Sequence, residues 1–100
     1  KPIIIMSDIA DLSSSTANAF VVSGTARGFE NNAQLSVVVL SSSPLGETFN
    51  ETVTVTDGGW ATTPEDISSW ESGTLTITVN GSNDSGQGAG EASQDVILSD

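Results

Sequence analysis

The chain has no cysteine and no histidine, and only two of its 100 residues are basic. Without cysteine there is no disulfide framework and no thiolate metal site, so the fold needs no oxidising compartment. Without histidine the commonest general base, metal ligand and pH switch is missing. Two Lys and Arg stand against thirteen Asp and Glu, a net charge of −11. Such a chain repels nucleic acid and anionic membrane surfaces alike. No apolar run reaches the ~18 residues that span a bilayer. Lys1-Pro2-Ile3-Ile4-Ile5-Met6 is too short for the apolar core of a secretory signal, and Asp8 ends it.

These absences remove most catalytic chemistry. A Ser-His-Asp triad has no histidine to use. A serine–lysine pair would have to recruit Lys1, at the chain's frayed end. Asp57, Asp66 and Asp84 could be nominated as a carboxylate pair for glycoside hydrolysis, but a domain this small has no deep cleft to hold them. Gly86-x-Gly88-x-Gly90 leads into a strand, so it lacks the helix N-terminus that makes a phosphate loop. The same stretch has Gly81 and Ala92 where an EF-hand needs its first and last acids. The expectation is a protein that is not an enzyme.

What is present is a run of short β signals. One hundred residues make one domain, 1–100, large enough for a single core. Ile3-Ile4-Ile5 favours a strand because β-branched side chains suit a pleated surface. Residues 7–18 are polar and read as a loop or an irregular crossing edge. Phe20-Val21-Val22-Ser23-Gly24-Thr25-Ala26 is the second strand, with Phe20, Val22 and Gly24 on one face. Leu35-Ser36-Val37-Val38-Val39-Leu40 is nearly all apolar, which suggests a central strand. In the fourth strand, 49–56, Phe49, Val53 and Val55 point in, and Thr52, Thr54 and Thr56 point out. Asp57-Gly58 is the strongest hairpin signal, since both residues tolerate positive φ. Trp60 opens the fifth strand, and 64–67 could make one helical turn. Gly73 then releases a strand with Leu75, Ile77 and Val79 inward and Thr74, Thr76 and Thr78 outward. Residues 80–90 read as a glycine-rich loop, and Val96-Ile97-Leu98 as the last strand. Seven strands with frequent turns and no convincing helix pattern predict an all-β, immunoglobulin-like antiparallel sandwich.

Two features invite a ligand reading. Trp60 and Trp70 could stack on one, but core packing is favoured. Asn50, Asn80 and Asn83 head N-x-S/T sequons, which matter only in a glycosylating pathway. The acids say more. With turns alternating between the ends of a sandwich, Glu30, Asp57, Asp84 and Glu91 fall at one pole. Asp8, Asp11, Glu65, Asp66, Glu71 and Asp100 fall at the other. Oxygen ligands on loops suit calcium, and −11 calls for counter-ions that the chain does not supply.

Ser23-Gly24-Thr25-Ala26, Asp57-Gly58-Gly59-Trp60, Gly73-Thr74-Leu75-Thr76-Ile77-Thr78-Val79 and Asn83-Asp84-Ser85-Gly86 follow one another in order. With Ile67 and Trp70 between them, they resemble the bacterial immunoglobulin-like repeats of giant secreted adhesins, RTX adhesins included. Two positions depart from the pattern: Ser72 stands where an acid precedes the glycine, and Gln87 where asparagine follows Gly86. The resemblance implies one repeat of a tandem array that extends a distal ligand-binding region away from a bacterial cell surface. It implies adjacent repeats as partners, an isolated domain that stays monomeric, and calcium at the junctions. The ligands it implies are Asp57 and Asp84 at one pole, and Asp100 with Asp8 or Asp11 at the other. The alternatives are a carbohydrate- or protein-binding sandwich module and an accessory domain of a secreted enzyme.

Overall fold

Alternation of side chains decides which face of each strand is buried, and two sheets result. The computed structural model describes residues 2–82 and 89–99. Among them, a three-stranded sheet holds β1 (Ile3–Met6), β3 (Ser23–Arg27) and β6 (Gly59–Ala61), in the order β1-β3-β6. A five-stranded sheet holds β2 (Leu12–Ser13), β4 (Gln34–Ser41), β5 (Thr48–Thr54), β7 (Gly73–Ser82) and β8 (Ala89–Ser99), in the order β2-β8-β7-β4-β5. All pairings are antiparallel except β2 with β8. The fold is the expected β-sandwich with one strand more than the seven read from the sequence. The addition is β2, two residues inside the polar stretch 7–18.

Leu35, Val37 and Val39 of β4 and Leu75, Ile77 and Val79 of β7 are fully buried, alternating with polar or half-exposed neighbours. The facing sheet and the turns beside it supply Ile4, Phe20, Val22, Ala26, Trp60 and Ile67. β4 is central, with β5 and β7 on its two sides, as its apolar content suggests. Its outer face is covered only in part, and Leu40 is exposed.

Gly24 sets how closely the smaller sheet packs. A Cβ placed there would lie 1.9 Å from the Ile5 carbonyl oxygen and 2.8 Å from Cζ2 of Trp60. Trp60 fills the space above this glycine, and its indole N–H donates to the Thr25 carbonyl at 3.0 Å. The polar edge of a buried tryptophan is thereby satisfied within its own sheet.

Three segments differ from expectation. Asp57 and Gly58 do form a tight turn, with φ of 51° and 79°. Thr56 and Gly59 exchange both backbone hydrogen bonds across it, each 2.9 Å long. The flanking strands do not continue as a hairpin, however. β5 stays paired to β4 and β6 crosses to β3, because Val53, Val55 and Trp60 all bury between the sheets. The helical turn expected at 64–67 is absent: Glu65 bridges Phe20, and among the described residues the one short 3₁₀ turn spans Ala17–Ala19. Finally, much of the expected loop 80–90 is strand. β7 continues to Ser82 and β8 begins at Ala89, pairing in register from Gly73–Leu98 to Ser82–Ala89.

The strand directions put the chain's two ends at opposite ends of the sandwich. β1 and β6 run against β3, and β4 and β8 run against β5 and β7. Gly90 lies against the Pro2 carbonyl, so β1 and β8 start at the same end and run the same way. Pro2 and the Asp57–Gly58 turn lie at the N-terminal end; Ser99 and the β4–β5 loop lie at the C-terminal end. The molecule measures 42 × 23 × 17 Å, and its radius of gyration is 13.9 Å. A compact domain of this length is expected near ~13 Å, so the sandwich is drawn out along its strands. Among the described residues no helix is long and apolar enough to cross a membrane.

Replacing Gly24 by Ala forces a methyl group against a backbone carbonyl that cannot move aside alone. The expected loss is about 2–3 kcal/mol, read as a lower urea midpoint with an unchanged slope.

Candidate functional site

At the N-terminal end the Asp57 turn is fixed from two sides. Its backbone N–H donates to Oδ1 of Asn31 at 3.2 Å, and the Gly58 carbonyl accepts from the Ala26 N–H at 2.9 Å. Asn32, with φ of 73°, turns the chain into β4 beside it. The hydrogen-bonded groups of this turn are backbone, so the exposed Asp57 carboxylate stands on a rigid base. Glu30 and Glu91 are exposed at the same end. Asp84 and the sequon at Asn83 lie outside the described residues, as does Asp100.

The acids of the other group are spread out. Asp11 Oδ1 accepts the Ile97 N–H at 3.1 Å, which pins the approach to β2 against β8. Asp8 lies on the flank, and its expected place at a pole is corrected. Ser7 donates to the Ser23 carbonyl and Ile9 to Oε1 of Gln94, while Nε2 of Gln94 donates to the Ser7 carbonyl at 3.0 Å. Gln94 pairs with Ile77, midway along β7, so Asp8 is held well short of the C-terminal end.

Glu65, Asp66 and Glu71 do lie at the C-terminal end. Asp66 Oδ1 accepts both the Ser68 hydroxyl at 2.6 Å and the Ser68 N–H at 3.0 Å. The side-chain bond first, then the backbone bond, holds its carboxyl below the usual range. A depressed folded value contributes stability above the unfolded pKa and loses it as pH falls through the folded one. Glu71 donates its N–H to Oε1 of Glu47 at 2.8 Å and accepts the Ser43 hydroxyl on its own Oε1 at 3.3 Å.

Among the described residues no three acids converge closely enough to hold a metal ion. Asp57 offers one free carboxylate at one end, while Asp11 spends an oxygen on β8 at the other. Calcium takes six to eight oxygens at about 2.3–2.6 Å, so the described donors of one copy supply part of a site.

Trp60 belongs to the core, and Trp70 packs against its edge. Trp60 is 5% exposed. Trp70 is half-buried, edge-on to Phe49 with ring centres 6.1 Å apart, and Phe49 is edge-on to Phe20 at 6.3 Å. Asn50 and Asn80 are exposed on the outer face of the larger sheet, paired with Val38 and Ser36 of β4.

Sequence reasoning missed Glu51. It sits on the inward parity of β5, between Phe49 and Val53, and is only half-exposed. Its carboxylate accepts the Thr63 N–H and the Thr63 hydroxyl, both at 3.0 Å, tying the edge of the larger sheet to the segment after β6. A charged residue at a core-parity position was the available signal. Two measurements follow from these contacts. Glu51→Ala should lower stability by about 1 kcal/mol in urea denaturation, because it removes two hydrogen bonds to a carboxylate that tie β5 to the segment after β6 and leaves the exposed Thr63 donors to water. Ser68→Ala should raise the Asp66 pKa toward the ordinary aspartate range in an NMR titration.

No protein-family model and no curated protein matches the chain. Among solved structures it is similar to the crystal structure of a tetra-tandem repeat in the extending region of a large adhesion protein. The two superpose with a TM-score of 0.76 and 27% identity over 98% of this chain. The chain spans 24% of that structure's length, the share expected of one repeat among four.

Proposed function

We propose that this chain is one repeat from the extending region of a bacterial surface adhesin, a non-catalytic spacer stiffened by calcium where successive copies meet. The observation that carries the reading is the likeness over 98% of the chain to a repeat-sized portion of such a region. The architecture supports it: a 42 Å sandwich is entered at one end and left at the other, so copies joined in series extend along their long axes. Spacing needs no pocket and no titrating pair. The packing of Trp70 against Phe49 lends nothing to a sugar-stacking module.

Calcium enters through the distribution of charge. Asp57 stands on a fixed turn at the N-terminal end, and Asp84 is the residue that the resemblance pairs with it. Asp11 and Asp100 belong to the other half of a junction. Donors from two copies would complete a coordination sphere that one copy leaves partial, and Ca2+ would offset repulsion within a chain of charge −11. Such a protein belongs outside the cell, where free calcium is abundant enough to fill weak sites.

A head-to-tail tandem of two copies tests both parts. Small-angle scattering should give a particle about 80 Å long, near twice the 42 Å of one copy. A tandem no longer than one copy would rule out the extender. Calcium at a hundredfold excess over Kd should raise the melting midpoint by about 5–10 °C relative to chelator. Equal midpoints would remove the calcium while leaving the extender intact.

A further inference from the structure

Leu45 is 68% exposed, more than any other large hydrophobic residue described. An isolated surface leucine is ordinary by itself. The setting of this one is not, because the β4–β5 loop that carries it is tightly built. Ser41 donates its N–H to the Glu47 carbonyl at 2.9 Å, closing the loop at its base. Ser43 is buried; its carbonyl accepts the Gly46 N–H at 2.9 Å and its hydroxyl oxygen accepts the Leu45 N–H at 3.1 Å. Gly46, with φ of 65°, completes the turn. The Ser43 hydroxyl in turn donates to Glu71. A loop free to move could fold its leucine onto the core; these bonds hold it out in water.

The loop also has a definite place. Ser42 donates its N–H to the Thr74 carbonyl at 2.9 Å, and Gly73 pairs with Leu98. Leu45 therefore projects from the end where the chain leaves, two strands from Ser99. Glu47 and Glu71 lie beside it. Arg27, the one cation among the described residues, is exposed at the opposite end, near the half-buried Phe29.

We infer that the Ser43–Gly46 turn docks Leu45 against the N-terminal end of the following copy of this chain, near Phe29 and Arg27. The inference rests on the tandem reading above. It assigns the partner and the residue that meets it. Because the loop is already ordered, docking loses little conformational entropy. The contact is apolar at its centre, and Arg27 of the next copy is the one cation that Glu47 and Glu71 would meet among the acids Glu30, Asp57 and Glu91 of that end. This contact uses no metal.

The chain's lack of cysteine makes the test clean. In a two-copy tandem, Leu45→Cys is placed in the first copy or in the second, and thiol alkylation is timed under native conditions. The first copy's position faces the junction and should react several-fold more slowly than the second copy's, which faces solvent. Leu45→Ser supplies a second reading that does not depend on labelling. In the first copy it should lower the melting midpoint of the tandem, and in the second copy it should not. Equal alkylation rates and equal midpoints in an extended tandem would overturn the contact and leave the extender standing. A tandem that scattering shows to be folded back on itself would overturn both.

Discussion

Across the β4–β7 ladder Val37 faces Val79 and Val39 faces Ile77, all without solvent exposure, and Leu35 and Leu75 extend the row at either end. Each such side chain gains about 1.5–3 kcal/mol from leaving water, against a net stability of only about 5–15 kcal/mol for a whole domain. The smaller sheet is laid over this row. Its position follows from Gly24, which lets the Trp60 ring approach the backbone, and from Glu51, which ties the open side. The end turns take their positions from strands anchored to the same row.

Most of that arrangement could be read from residue order. The alternations in β5 and β7 named the buried residues correctly, because each strand has one wet and one dry face and period two leaves little choice. Phe20, Val22 and Gly24 were equally plain. The apolar run of β4 showed an inner strand without showing which residues face in. Legibility failed where burial is weak. The first half of β8 is strand without apolar alternation: Ala92 and Gln94 take the inward places, and the ladder to β7 holds the backbone extended. β2 has two residues and exists because β8 offers it an edge. Asp57-Gly58 gave the turn but not the partners of its strands, since turn chemistry is local and sheet membership depends on what Trp60 buries against.

The candidate residues divide in the same way. Acids on the end loops were visible as acids on turns, and Asp57 and Asp11 stand where charge and turn signals put them. Asp8 was misplaced because its height depends on Gln94 clasping the backbone at Ser7 and Ile9, a contact between residues more than eighty positions apart. The same limit hid the Glu51–Thr63 tie. No local pattern shows which loop a side chain will reach across to.

The opposed placement of the two chain ends also governs how the domain bears tension. A pull on Pro2 and Ser99 acts along β1 and β8, whose ladder bonds lie across that direction. Separating β8 from β7 this way means sliding ten paired residues past one another at once, so the bonds share the load instead of opening singly. β2 runs parallel to β8 on its far side, through the Leu12–Leu98 and Ser13–Ser99 pairs. The final strand is therefore gripped on both edges where a pull would arrive. A sandwich whose ends met at one pole would unzip under the same force.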